Sequence, residues 1–157
     1  MKKRKVFILG GGGFIGSAIV KILVKRGGYD ITVGDNFVHN QNDEELLNFY
    51  EKNNILLIYQ DFTDKKQFEK LDKEYDDFYM LASMIGVNYT LENPEEVIRV
   101  NTALIYNSLE WIKDVKIKNV LFTSTSECYS GSIDKFNYKI PTDEDIPLCI
   151  DDIHHPR

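Results

Sequence analysis

The sequence predicts an α/β fold, a three-layer doubly wound parallel sheet with helices on both faces. Three observations carry that expectation. Short apolar, β-rich runs alternate with helical patterns five times along the chain. A glycine cluster, Gly10 to Gly13, falls where the first run ends and the first helical pattern begins. The 157 residues, 43% of them hydrophobic, are enough for one domain with a real core.

Each element has its own signal. Lys5–Leu9 is a short apolar run suited to a strand buried on both faces. Phe14 to Arg26 has helical spacing, with Ile15, Ile19, Ile22 and Leu23 expected on one face and Gly27-Gly28 ending it. Ile31-Thr32-Val33 is a second strand. Asp43 to Lys52 is a helix opening with acidic residues, and Ile55 to Tyr59 a third strand. Asp64 to Leu71 is a short amphipathic helix, followed by a fourth strand over Phe78 to Ala82. Asn93 as a cap, Pro94 at the first helical position and Glu95-Glu96 at the positive end of the dipole mark a helix running to about Lys113. Val120 to Thr123 is a fifth strand. The remainder is rich in Asp, Pro and Tyr and is expected to be mostly loop over 131–157, within a single domain spanning 1–157. Right-handed crossovers place helices on both faces, and ligands of such sheets sit at the strands' carboxyl ends, near the switch point between the first and fourth.

The totals exclude several classes. A formal charge of -6 argues against nucleic acid as a partner. The basic start, Lys2 to Lys5, before an apolar stretch mimics a signal peptide, but Lys21, Lys25 and Arg26 follow and no small-residue cleavage site appears. No stretch approaches the roughly 18–20 apolar residues that span a bilayer, so no membrane and a cytoplasmic location are expected. Cys128 and Cys149 have no metal or redox spacing and are expected to be reduced packing residues. His154-His155 behind Asp151-Asp152 lacks the other ligands of a metal site, so no metal is expected. Trp111 and Tyr106 are expected to pack rather than to form a binding platform.

Glycine in a regular element costs roughly 0.5–1 kcal/mol relative to alanine, so the cluster needs a reason. Gly10, Gly13 and Gly16 are spaced G-x-x-G-x-x-G at a strand-to-helix turn, and Gly11 supplies a G-x-G as well. Gly10 allows the tight turn, Gly13 lets a pyrophosphate approach the backbone, and Gly16 lets the helix pack closely. The helix start at Phe14-Ile15 offers N–H groups and a partial positive charge to phosphates. Asp35, at the end of the second strand, can accept hydrogen bonds from the adenosine ribose hydroxyls. Its charge would repel a 2′-phosphate and no arginine lies beside it, so the expected cofactor is NAD in a Rossmann-type site. A flexible loop with an incidental surface aspartate is the competing reading.

GGGGFIGSAIVKIL together with VGDN, which includes Asp35 and Asn36, resembles the extended short-chain dehydrogenase/reductases that act on nucleotide sugars. The resemblance runs nearly the whole length and adds further site residues. Gln60-Asp61-Phe62-Thr63-Asp64 matches the segment whose aspartate meets the adenine amino group; otherwise Asp61 starts a loop or caps the short helix. Leu81-Ala82-Ser83 matches the strand end under the nicotinamide ribose. GVNYTLENPEEVIRVNT matches the next helix, where Asn101 either organises the site or is an amide satisfied by backbone. FTSTSECYS matches the strand that carries a catalytic Ser or Thr, here Thr125, although Cys128 and Ser130 replace the common Val and Gly, and Tyr129 is open to a packing role. Ser126-Glu127 resembles the T-S-E segment of UDP-glucuronate decarboxylases, where a carboxylate could act at a sugar carbon; alternatively Glu127 points to solvent.

The resemblance implies an NAD-dependent epimerase, dehydratase or decarboxylase, thus an isomerase or lyase, acting through transient oxidation of a nucleotide sugar, usually at C4. A tyrosine takes the hydroxyl proton, and a lysine four residues later lowers its pKa. Here Tyr129 is followed four later by Ile133, and Tyr138 by Thr142. The final IHHPR resembles the lead-in to that tyrosine. The expectation is therefore the N-terminal, cofactor-binding portion of a longer enzyme, inactive alone. In the family the helix matching Pro94–Lys113 helps build a homodimer's four-helix bundle; here Ile98, Ile105, Leu109 and Ile112 are expected to be exposed and to invite self-association. A non-catalytic NAD-sensing or scaffold protein is the alternative.

Overall fold

The first strand, β1 (Arg4–Leu9), organises the molecule. In the computed structural model, which describes residues 2–38 and 43–149, Val6, Phe7, Ile8 and Leu9 are all buried. Successive side chains of a strand point to opposite faces, and here each face meets its own core. Val6 and Ile8 join Val20, Leu23, Ile31, Val33, Leu46 and Tyr50. Phe7 and Leu9 join Ile58, Phe62, Phe68, Phe78, Leu104 and Trp111.

A strand covered on both sides must be central. The sheet is fully parallel, in the order β3-β2-β1-β4-β5, with β2 Tyr29–Asp35, β3 Leu56–Tyr59, β4 Glu74–Met80 and β5 Lys116–Phe122. The chain runs outward from β1 through β2 to β3 and returns to the other side through β4, so the switch point lies between β1 and β4. The helices are α1 (Phe14–Arg26), α2 (Glu44–Lys52), α3 (Val87–Glu92), α4 (Pro94–Ile112) and α5 (Ser130–Phe136), with 3-10 turns at Lys65–Lys70 and Ser126–Tyr129. The α/β class, the five strands and their parallel arrangement are as the sequence predicts. No helix among the described residues is long and apolar enough to cross a membrane.

Several details differ from the sequence expectation. The inward face of α1 is Gly16, Val20 and Leu23, while Ile15 and Ile22 are exposed. Gly16 must lie against the turn after β1, and that contact sets the rotation of the whole helix. The segment Asp64–Leu71 forms a 3-10 turn, capped by the Asp64 carboxylate on the N–H of Lys66. β4 starts four residues early, in the acidic stretch Glu74–Asp77, and stops at Met80. It stops there because the N–H groups of Leu81 and Ala82 both turn onto the carbonyl of Leu9, at 2.8 and 2.9 Å. α3 falls in a stretch with no expected element, and α5 in a segment expected to be loop. Trp111 packs against Phe7, Phe68, Tyr75 and Phe78, whereas Tyr106 is exposed. The segment with His154 and His155 lies outside the described residues.

The described chain divides into two compact units, Met1–Met84 with Glu95–Phe122, and Ile85–Pro94 with Thr123–Arg157. The first holds the sheet. Its amino edge carries a charge network that explains how an acidic run can be a central strand. Arg4 grips Asp77 with two guanidinium hydrogen bonds of 2.5 and 2.6 Å, and Asn119 of β5 donates to the same carboxylate at 2.9 Å. Asp76 accepts from the backbone N–H of Lys5 at 2.8 Å and pairs with Lys118. The Asp77 side chain is only 4% exposed, against 49% for Arg4. Hydrogen bonds from Arg4 and Lys118 hold both carboxyls below the usual aspartate range.

With both folded-state pKa values below the unfolded value of about 3.9, the unfolded chain binds more protons over the interval between them. The stabilisation is therefore complete above about pH 5 and is lost as pH falls through the folded values. Asp77→Asn should lower stability at pH 7 by about 1–3 kcal/mol and flatten the acid limb of a denaturant-midpoint against pH profile. An unchanged acid limb would exclude the network as its source.

Candidate functional site

The carboxyl ends of β1, β2, β3 and β4 bring most of the sequence-predicted site residues to one edge of the sheet. Gly10 opens the turn after β1 with φ at 88°, a conformation that side chains rarely adopt. A Cβ there would also sit 2.5 Å from the backbone nitrogen of Ala82. The glycine turn and the end of β4 are therefore pressed together, Leu81 and Ala82 lying beside Gly10. Gly16 is equally constrained, since its Cβ would come 2.2 Å from the carbonyl oxygen of Gly10.

Gly13 differs. It has ordinary extended backbone angles and its Cβ would meet nothing nearer than 3.4 Å. The protein's own packing does not demand a glycine there. Gly13 is the N-cap of α1 and provides no side-chain cap. By contrast Asp43 caps α2, accepting from the N–H of Leu46 at 2.9 Å. The first backbone bond of α1 runs from Ser17 N–H to Gly13 O at 2.9 Å. The N–H groups of Phe14, Ile15 and Gly16 precede it and belong to the helix's orphan donors. Phe14 is 90% exposed and Ile15 exposed, so nothing apolar among the described residues covers this helix start. An N–H cluster at the positive end of a 13-residue helix, beside a residue without a side chain, is suited to a phosphate group.

Asp35 ends β2 beside this turn. One carboxylate oxygen accepts from Gly12 N–H at 2.8 Å and the other from Phe37 N–H at 2.7 Å. A carboxylate oxygen has two lone pairs, so each retains acceptor capacity for a hydroxyl. The backbone of Asp35 also accepts from Gln60 N–H at 3.0 Å, which brings the segment after β3 alongside. Asn36 is exposed and accepts from Val38 N–H at 3.2 Å.

The remaining first-unit residues split between exposed groups and scaffolding. Asp61 is exposed, and its carboxylate accepts from Thr63 N–H at 2.9 Å in a local turn; the cap of the following 3-10 turn is Asp64. The Phe62 ring is buried between Phe7 and Phe68, and the residue as a whole is buried. Ser83 is exposed. The Asn101 amide bonds both ways with one residue, accepting from Met84 N–H at 2.7 Å and donating to Met84 O at 3.1 Å. It holds the segment after β4 in place. In the second unit, Thr125 is exposed and its hydroxyl accepts from Glu127 N–H at 3.3 Å, capping the turn Ser126–Tyr129; Glu127 is exposed too.

Sequence reasoning missed three contributors. Tyr50 on α2 donates its buried hydroxyl to the carbonyl of Gly11 at 2.7 Å. Asn107 on α4 donates to the carbonyls of Phe62 and Thr63 at 3.2 and 2.8 Å, fixing the turn that carries Asp61. Phe37 takes a positive φ of 53° and stacks on Tyr59, with ring centroids 5.3 Å apart. Tyr50 had a usable signal, an aromatic with a polar tip four residues after Leu46 on a helix face. Asn107 and Phe37 had none. Among the described residues no group of three or more His, Cys, Asp or Glu is placed to hold a metal ion.

Among curated proteins the chain is 36% identical over 137 residues to the UDP-N-acetyl-alpha-D-glucosaminuronate decarboxylase of Bacillus cytotoxicus, an alignment covering 86% of this chain and 40% of that enzyme. Among solved structures it superposes with a TM-score of 0.76 and 29% identity on the UDP-N-acetylglucosamine 4-epimerase of Methanobrevibacter ruminantium, solved in complex with UDP-N-acetylmuramic acid, over 95% of this chain and 45% of that one. The Bordetella bronchiseptica enzyme WbmF, solved in complex with NAD+, matches with a TM-score of 0.64 and 25% identity over 80% of this chain and 37% of its own. The chain thus spans less than half the length of these relatives. The model of the NAD dependent epimerase/dehydratase family matches residues 6–149, nearly the whole sequence, and the chain belongs to that family.

Proposed function

We propose that this chain is the NAD-binding portion of a nucleotide-sugar epimerase, dehydratase or decarboxylase. The observation that carries the reading is Gly13, a glycine the fold does not need, at an uncapped helix start beside the carboxylate of Asp35. The N–H groups of Phe14, Ile15 and Gly16 would take the diphosphate, with Gly10 shaping the turn. Asp35 would accept from the ribose diol, and Asn36, Asp61 and the backbone at Phe62 would border the adenine. Leu81, Ala82 and Ser83, held by Asn101 through Met84, would lie under the nicotinamide ribose. NAD, when bound, supplies a hydride acceptor for transient oxidation at sugar C4.

Thr125 is the proposed catalytic hydroxyl, hydrogen-bonding the sugar oxygen, and Glu127 the carboxylate acting at a sugar carbon. Thr125 has the capacity, because its oxygen accepts from Glu127 N–H and its own proton remains to be donated. Neither is a general base for the sugar hydroxyl, and none of the nine tyrosines has a lysine four residues later. The 157 residues alone are therefore proposed to bind cofactor without turnover. The decarboxylase similarity supports a UDP-uronic acid as the substrate class.

Calorimetric titration of NAD into the folded chain should give saturable heat, and NADP should bind at least about tenfold more weakly because Asp35 would face its 2′-phosphate. Absence of any heat with NAD would end this reading. Gly13→Ala should weaken NAD by about tenfold or more while the thermal midpoint stays within about 2 °C, since the added methyl meets only ordinary contacts inside the protein.

The face of α4 carrying Ile98, Ile105 and Leu109 is exposed, whereas Ile112 packs on the core. We assign that face to a homodimer contact in the whole enzyme and to self-association of this chain. Light scattering should show mass above the monomer at high concentration, reduced by Leu109→Glu. A clean monomer at every concentration would contradict the assignment.

A further inference from the structure

We propose that Tyr50 is a positioning residue for the diphosphate, acting as one jaw of a clamp on the Gly11–Gly12 peptide whose other jaw is Asp35. This inference rests on the cofactor reading above and extends it to a residue in the next helix.

The clamp is a single peptide plane held at both ends. Its carbonyl, on Gly11, accepts the Tyr50 hydroxyl at 2.7 Å. Its N–H, on Gly12, donates to Asp35 at 2.8 Å. C=O and N–H of a trans peptide point in opposite directions, so the two bonds oppose each other and fix the plane's orientation. The next residue is Gly13, the N-cap of α1. Setting the plane at 11–12 therefore sets the direction in which the donors at the start of α1 face. A run of four glycines has no side chains with which to hold itself, and the clamp supplies that restraint from outside.

Tyr50 is built for the role. It is 1% exposed and shares the buried face of α2 with Leu46, one turn earlier. Burial raises its phenol pKa well above the ordinary value, with Asp35 and Asp43 acting in the same direction, so the hydroxyl keeps its proton and remains a donor. The ring packs with Phe49 and lies in the core with Ile8 and Val33, so the aromatic body anchors α2 while the tip acts on the loop. Asp35 belongs to both the clamp and the proposed ribose contact. A diol drawing on Asp35 and a diphosphate drawing on the helix start would thus act on one rigid piece of backbone.

The test separates the hydroxyl from the ring. Tyr50→Phe in the 157-residue chain is titrated with NAD and ADP by calorimetry, and with adenosine by chemical-shift changes at millimolar concentration. Expected are about tenfold weaker binding of NAD and ADP, adenosine affinity within about twofold, and a thermal transition that remains cooperative. A residue that served only to pack α2 would weaken all three ligands alike or none, and either pattern overturns the inference. A wild-type chain that binds NAD together with a variant that binds it equally well overturns the clamp alone. A wild-type chain that binds no NAD overturns the cofactor reading and the clamp with it. Should Tyr50→Phe fail to fold, amide exchange in the unliganded wild-type chain decides. Gly12 N–H should exchange at least about tenfold slower than in an unstructured peptide, and unprotected exchange there overturns the clamp.

Discussion

The approach of α1 to the turn after β1 is the constraint on which the carboxyl end of the sheet depends. Gly16 lies so close to Gly10 and Gly11 that a single methyl group would overlap backbone, and Gly10 lies equally close to the backbone of Ala82. These contacts carry little energy of their own. They matter because they leave no slack: helix start, glycine turn and the end of β4 can be brought together in only one way. α1 is rotated accordingly, which is why Ile15 and Ile22 face outward while Val20 and Leu23 enter the core. A site assembled from backbone N–H groups needs such rigidity, because backbone donors cannot adjust as side chains do.

Polar side chains then fasten the loops that glycine leaves loose. Asp35 and Tyr50 hold the glycine turn, Asn107 holds the Phe62–Thr63 carbonyls, and Asn101 holds Met84. Each joins a strand-end loop to another element, and the Tyr50–Gly11 and Asn107–Phe62 bonds are buried from water, where a hydrogen bond left unmade is costly. The same logic appears at the opposite edge of the sheet. There Arg4, Asn119, Lys118 and the Lys5 backbone satisfy Asp76 and Asp77, so that an acidic run can serve as β4.

Much of this was legible in the order of residues. The ends of α1 follow from glycines on both sides, and α4 starts at Pro94 as its sequence signal requires. The burial of β1 on two faces was visible in an unbroken apolar run. β4 was misplaced at both ends because Glu74–Asp77 has the composition of a loop until its cross-strand partners are known. α3 and α5, at six and seven residues, are too short for a helical period to show. The glycines at 10–16 and Asp35 could be singled out because the pattern they form is local. Asn107 and Phe37 could not, since an ordinary asparagine or phenylalanine carries no mark of its distant partner, and Tyr50 showed only its place on a helix face.

The sequence by itself determined the local stereochemistry: where the chain can turn tightly, where a helix can start, and which run can be buried on both sides. Only the tertiary structure decided which groups meet across the chain. Tyr50 reaches Gly11 over 39 residues, Asn101 reaches Met84 over 17, and Arg4 reaches Asp77 over 73. Backbone preference acts within a few residues, whereas such pairings arise from strand order and helix rotation, which are fixed together when both cores close.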